Sequence, residues 1–244
     1  MVDFVLKVAG YPILVHANFE STKEYCRKYL VDEEPVFTVS VGPEDFAYEK
    51  RRYHRDRIIA GQEAPDTEDA LFEQTAVQRK LAEQLFDYDV IVFHGSVVAV
   101  DGQAFLFTAK SGTGKSTHTR FWRETFGDRA VMVNDDKPFL RITEDGVIAY
   151  GAPWNGKHRI GKNVSMPLKA ICILERGVEN EICKITGNEA VTMLFQQSNW
   201  PVDPKKMSKH MDLIDRLSKK TEFYRMKCNL DPDAARVAYE AMSK

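Results

Sequence analysis

The feature that most constrains this chain is the apolar run Phe105-Leu106-Phe107-Thr108, followed by Ala109-Lys110-Ser111-Gly112-Thr113-Gly114-Lys115-Ser116 and a helical stretch toward Phe126. A strand that feeds a glycine-punctuated loop and then a helix is a cradle for anions. The glycines let backbone N–H groups turn inward around phosphate oxygens, and the helix N-terminus adds a favourable dipole. In that setting Lys115 reaches the β- and γ-phosphates of a nucleotide, and the Ser116 hydroxyl ligates Mg²⁺. Ala109 stands where the strict pattern has its first glycine, which demands a negative φ at that residue.

Two further elements surround the loop. Val131-Met132-Val133-Asn134-Asp135-Asp136 reads as an apolar strand ending in two acids. Asp135 follows Lys115 by twenty residues, enough for one helix and a return to the sheet beside the loop strand. A carboxylate there reaches the metal held by Ser116. Because adjacent carboxylates repel, one of the pair is expected to retain a proton affinity suited to accepting a hydroxyl proton. The second element is His94-Gly95, at the end of Val90-Ile91-Val92-Phe93.

Composition excludes several classes. The chain has 244 residues, of which 43% are hydrophobic, and 34 basic side chains balance 36 acidic ones to a net charge of −2. A core of ordinary size is expected, and disorder, collagen-like and disulfide-scaffold architectures are excluded. So small a net charge supplies no global field for nucleic acid or an anionic membrane. Cys26, Cys172, Cys183 and Cys228 form no Cys-x-x-Cys pair, and Cys172 lies in an apolar run, as a buried thiol in a reducing compartment does. The opening Met-Val-Asp-Phe-Val-Leu-Lys has an acid where a signal peptide is basic, and no run approaches the roughly 18 apolar residues of a membrane span. These features predict a cytoplasmic protein.

Along the chain, strands are expected around 4–6 and 13–15, joined at Gly10-Tyr11-Pro12, with a third over 36–41. Ser21 and Glu24 read as the capping box of a short helix to Tyr29. The charge-dense run 48–57 reads as a solvated face, or as a partner surface, and 61–67 as a loop. Asp66 or Thr67 is expected to cap a helix to Phe86 with Leu71, Leu81 and Leu85 on helical spacing. Strands 90–93, 96–100 and 103–108 follow, the last two joined by the hairpin signal Asp101-Gly102. After a hairpin at 144–146, a polar loop at 151–165 and an apolar strand at 168–174, the last sixty residues read as mainly helical. Asp231-Pro232 opens a final helix to Met242.

A strand with His-Gly, a hairpin into Ser-Gly-Thr-Gly-Lys-Ser-Thr, a helix, and a strand ending Asp-Asp resembles the catalytic domain of HPr kinase/phosphorylase. That family shares its nucleotide-binding core with the ATP-dependent phosphoenolpyruvate carboxykinases. The likeness covers roughly residues 90–175, and the Gly151-Ala152-Pro153-Trp154 stretch resembles a loop of smaller HPr-kinase-like proteins. The first 88 residues do not resemble the N-terminal domain of true HPr kinases.

The resemblance implies an α/β fold, with a mixed-sheet P-loop core of the carboxykinase/HPr kinase type over 89–244, a small α+β region over 1–88 and a helical C-terminus. It implies an ATP- and Mg²⁺-dependent kinase that moves the γ-phosphoryl group to a hydroxyl, on a serine of a protein or peptide or on a small molecule. Ser111, Gly112, Thr113, Gly114, Lys115, Ser116 and Thr117 would hold the nucleotide, and Ser116 and Asp136 the metal. Asp135 would serve as base with His94 beside the acceptor. Lys157, in a basic loop with His158 and Arg159, would close over the transferring phosphate. The resemblance also favours a homo-oligomer, though nothing in the residues themselves spells an oligomeric state. The other classes compatible with the residues are a non-catalytic ATP-binding sensor module, a hydrolysing switch and a carboxykinase-like lyase.

Overall fold

The structure, a computed structural model, describes residues 1–110 and 112–244. The chain divides into two compact units, Met1–Gln84 and Leu85–Lys244.

In the first unit, β1 (Val2–Val8) and β2 (Tyr11–Ala17) form an antiparallel hairpin, and every second residue of β1 is buried. The turn is Ala9-Gly10, with φ of 53° and 87°, so Tyr11 and Pro12 belong to the strand and not to the turn expected at 10–12. A type I′ two-residue turn needs positive φ at both central positions, and alanine rarely signals that in sequence. Helix α1 (Glu20–Tyr25) follows, then β3 (Phe37–Ser40) parallel to β2, α2 (Pro43–Ile59) and α3 (Asp69–Leu85).

The expected capping box of α1 does not form, because Ser21 lies inside the helix and the N-cap residue, Phe19, has no side chain that can accept a hydrogen bond. The fully buried Glu73 of α3 does the work from a distance. It accepts from Asn18 N–H (2.6 Å), Phe19 N–H (3.2 Å) and the Thr22 hydroxyl (2.6 Å). Leu71 is 51% exposed while Leu81 and Leu85 are buried. At about 100° per residue, Leu71 points about 80° away from Leu81.

The second unit continues with β4 (Val90–Val92), β5 (Ser96–Val100), β6 (Gln103–Thr108), α4 (Lys115–Phe126), β7 (Ala130–Asn134), β8 (Phe139–Ile142) and β9 (Val147–Tyr150). Then come β10 (Ser165–Arg176), β11 (Glu181–Ile185), α5 (Gly187–Gln197), α6 (Met207–Lys220), β12 (Glu222–Cys228) and α7 (Ala234–Met242). Among the described residues its strands form one mixed sheet in the order β4-β8-β9-β10-β6-β5-β7, with β12 parallel to β10 and β11 antiparallel to β12. Apolar residues of α4 and α7 pack in one core cluster and those of α5 and α6 in another, so the sheet is covered on both faces.

The C-terminal sixty residues are mainly helical, through α5, α6 and α7, and β12 adds a parallel strand among them, where Glu222 pairs with Lys169 and Lys184. One expectation needs correction. The acid-bearing β7 does not lie directly beside β6. It pairs with β5, which stands between them, because the Asp101-Gly102 hairpin (φ 51° and 79°) folds β5 back onto β6 first. No helix among the described residues is long and apolar enough to cross a membrane.

Candidate functional site

The sheet topology brings the candidate residues to one end of the second unit. The chain leaves β6 at Thr108, β7 at Asn134, β10 at Arg176 and β12 at Cys228, and it enters the antiparallel β5 at Ser96. The loop between β6 and α4 therefore has β10 and β12 on one flank and β5 and β7 on the other.

Ala109 is buried in the core and is not among the residues with positive φ, so alanine fits where the strict pattern has glycine. Gly112 and Gly114 have φ of 77° and 115°, in the region that disfavours a β-carbon. Gly114 is the N-cap of α4, and it caps with no side chain. The first turn of α4 carries no acid, so the N–H groups of Lys115, Ser116 and Thr117 meet no carboxylate there. Thr113 donates back to Lys110 O (2.8 Å), and Arg176 Nη2 donates to Gly112 O (2.8 Å), tying the loop to the end of β10. Ser111 lies outside the described residues.

On the other flank, Asp135 is buried and its Oδ1 accepts from the Ser96 hydroxyl at 2.5 Å. A carboxylate only accepts, so the single Ser96 proton goes to Asp135 and Ser96 faces Thr119 Oγ1 (3.0 Å) as an acceptor. Thr119 sits in α4, so this three-residue chain joins the acid strand to the helix behind the loop. Asp136 is half-buried, and burial raises its proton affinity against the opposing pull of Lys137 and Lys115. Burial likewise lowers the Lys115 ammonium pKa, while Asp136 and Asp135 act the other way.

His94 Nε2 lies 3.5 Å from Asp136 Oδ1. Burial, with the charges of Lys137 and Lys115, brings this imidazole down to about 4, so it is neutral at pH 7. Gly95 N–H donates to Asp136 O (3.1 Å), which fixes the start of β5 against the acid turn.

Asn134, fully buried, organises this corner. Its Oδ1 accepts from Asp136 N–H (2.9 Å) and Lys137 N–H (2.7 Å), and its Nδ2 donates to Ala152 O and Trp154 O. Buried Asn155 closes the 151–161 loop on itself, donating to Ala152 O and accepting from Gly161 N–H. Gly156 (φ 68°) passes over the acids. A β-carbon there would lie 3.5 Å from Asp135 O and 3.6 Å from Asp136 Cβ. Lys157, the next residue, is exposed, as are His158 and Arg159. Sequence reasoning singled out neither Ser96 nor Arg176, and gave Asn134 and Asn155 no role. Of these only Asn134 carried a signal, as a polar residue ending an apolar strand.

Residues 63–232 match the model of a protein family described as "SynChlorMet cassette protein ScmC", which is 170 of the 244 residues. The chain belongs to the ScmC family. The match takes in the glycine loop, the acid turn and the 151–161 loop of this ScmC-family chain. No curated protein matches it. Among solved structures it is similar to the Hpr(Ser) kinase/phosphatase from Coxiella burnetii, at 10% identity and a TM-score of 0.30, over 51% of this chain and 93% of that one. That distant likeness assigns neither an activity nor a ligand here.

On the β10 and β12 flank the ScmC-family chain also has an open cavity of about 700 Å³, running from Gly112 and Thr117 past His118 and Phe121 to Cys228 and Leu230. All four cysteines are free; Cys172 is buried, with burial the first cause of its raised pKa.

Proposed function

We propose that this chain is a nucleotide-dependent phosphotransferase that binds ATP with Mg²⁺ at the 109–117 loop and passes the terminal phosphoryl group to a hydroxyl acceptor. The acceptor is a serine of a protein or peptide, or a small molecule. The observation that carries the reading is one arrangement: a loop with two left-handed glycines opens an uncapped helix N-terminus at the sheet end where Lys115 meets Asp136 and Asp135 electrostatically. Backbone N–H groups and a half-buried ammonium suit triphosphate oxygens, and phosphoryl transfer asks mainly for positioning and charge neutralisation.

The donors suit Mg²⁺, a hard cation that takes oxygen ligands and keeps part of its shell as water and phosphate. Ser116 supplies a hydroxyl, and Asp135 and Asp136 supply carboxylates. Among the described residues no cluster of three His, Cys, Asp or Glu side chains is placed to hold a metal. The ion would thus come with the nucleotide and neutralise charge on its phosphates.

The two acids are not equivalent. Asp135 is tied through Ser96 to α4, which favours it for the metal side. Asp136 is more open, raised by burial, and next to a neutral His94, which favours it for taking the acceptor proton. That division reverses the one suggested by sequence. Gly156 over the acids supports Lys157 as the residue that covers the transferring group.

Transfer from γ-labelled ATP with Mg²⁺ into a bacterial extract, split into macromolecular and small-molecule fractions, tests the reading. Wild type is expected to label one fraction, Lys115→Ala to lose nucleotide binding, and Asp136→Asn to bind nucleotide without transfer. Absence of ATP binding by wild type overturns the proposal. Binding without label in any fraction overturns transfer and favours a sensor module.

A further inference from the structure

Of the three tryptophans, Trp122 and Trp154 are buried, whereas Trp200 is 56% exposed. A large ring left in water forfeits its own burial, and such rings are enriched where another molecule lands. Trp200 stands on the segment between α5 and α6, and the phosphotransferase reading gives it no role.

That segment is fixed to the acid side of the site. Gln197 O, at the end of α5, accepts from His94 N–H (2.6 Å), and Asn199 N–H donates to Val92 O (3.0 Å). Between them Ser198 pairs with Phe93 across an antiparallel bridge. The Ser198 hydroxyl also lies 2.9 Å from Nε2 of the fully buried His210 in α6. The residues just before Trp200 therefore run along the end of β4, beside the imidazole that faces Asp136.

The indole itself is held still. Its Nε1–H donates to Phe195 O (2.8 Å), and the ring packs against Phe195 and His210 at centroid distances of 5.9 and 5.7 Å. With that N–H spent inside the chain, Trp200 presents carbon to the solvent. Val202, two residues on, and Met211, next to His210, are also about half exposed. A rigid aromatic face loses little freedom on binding and anchors an apolar side chain well.

Trp200 lies three residues beyond Gln197, at most about 11 Å of chain. An extended peptide advances about 3.3 Å per residue, so a segment whose hydroxyl meets Asp136 reaches the indole within about five residues. Apolar contact at such a distance from the reacting hydroxyl is what a peptide chain offers.

Resting on the phosphotransferase reading, we propose that Trp200 is a specificity-determining residue for the acceptor. It seats an apolar side chain of a peptide segment, within about five residues of the serine that is phosphorylated. In the transfer, the serine oxygen bonds the γ-phosphorus as the bond to the β,γ-bridging oxygen breaks. ADP leaves with that electron pair, and the serine proton passes to Asp136. Trp200 takes no part in this exchange and decides which serine is presented.

The test is labelling of serine-centred peptide libraries by the full chain with γ-labelled ATP and Mg²⁺. Leucine or phenylalanine is fixed in turn at each position within five residues of the serine, the others being degenerate. Wild type is expected to label peptides with the apolar residue at one or two offsets at least about tenfold faster than peptides with alanine there. For a favoured peptide, Trp200→Ala is expected to raise KM at least about tenfold and to act on KM rather than kcat, with recovery in Trp200→Phe. Equal labelling whatever stands at these positions overturns the apolar seat, as does a preference that survives Trp200→Ala. Label confined to the small-molecule fraction of an extract, with no peptide labelled, overturns the peptide acceptor while the phosphotransferase reading stands. ATP binding with no label anywhere, or no ATP binding by wild type, overturns that reading itself.

Discussion

Ser96→Ala probes the joint on which the acid turn rests. Ser96 is fully buried and Asp135 is 8% exposed, so neither has bulk water as a substitute partner. The substitution removes a 2.5 Å hydrogen bond to a carboxylate and the 3.0 Å contact to Thr119. A hydrogen bond to a charged group contributes about 1.5–3 kcal/mol, and a neutral one about 1. The expected loss is therefore about 2.5–4 kcal/mol for the second unit. At about 2–4 °C per kcal/mol for a domain of this size, that lowers Tm by about 5–16 °C. Trp122, Trp154 and Trp200 all lie in Leu85–Lys244, so tryptophan emission follows this unit. Urea titrations of wild type, Ser96→Ala, Asp135→Asn and the double variant form a cycle whose coupling is expected near 1–2 kcal/mol. A coupling below about 0.5 kcal/mol would refute the reasoning, because the two side chains would then contribute independently.

In the first unit, Glu73→Ala removes the acceptor of four hydrogen bonds and is expected to cost about 3 kcal/mol or more, read as lost hydrogen-exchange protection at Asn18 and Phe19. Gly114→Ala places a β-carbon at φ 115°; about 1–2 kcal/mol of strain is expected, with at least about tenfold weaker ATP binding by calorimetry. A third prediction concerns acid. His94 and His118 are both lowered to about 4 in the fold, whereas unfolded imidazoles titrate near 6.5. Between these values the unfolded chain binds more protons, so stability is full above about pH 6.5 and falls as pH drops toward 4. The fluorescence urea midpoint should fall already between pH 6.5 and 5, before carboxylates titrate. A flat midpoint over that interval would contradict the burial of both rings.

Local pattern made the centre of the chain legible. The strand 103–108, the loop glycines, α4 and the Asp101-Gly102 turn all follow from short-range rules on periodicity and φ, and so does the end of α7 at Met242. Elements that depend on a distant partner were hidden. Strand β12 is charged enough to read as helix until Lys169 and Lys184 meet Glu222. Helix α1 has a plausible local cap in Ser21, yet the carboxylate that satisfies its N-terminus comes from Glu73, more than fifty residues away. Ser96 and Arg176 are ordinary strand residues in sequence, and only the sheet order gives them neighbours to hold.

By itself, then, the sequence determined the chemistry on offer: a backbone loop that can face an anion, a lysine and a serine behind it, and two acids at a strand end. Those depend on residue type and spacing over a few positions, where steric preference and hydrogen-bonding capacity act directly. The tertiary structure decided how the two acids differ. It placed one under Ser96 and the other beside His94, and put an open cavity of about 700 Å³ on the opposite flank of β6. Burial and strand order set those differences, and both come from which strands pair across the sheet, a choice made by packing between segments far apart in the chain.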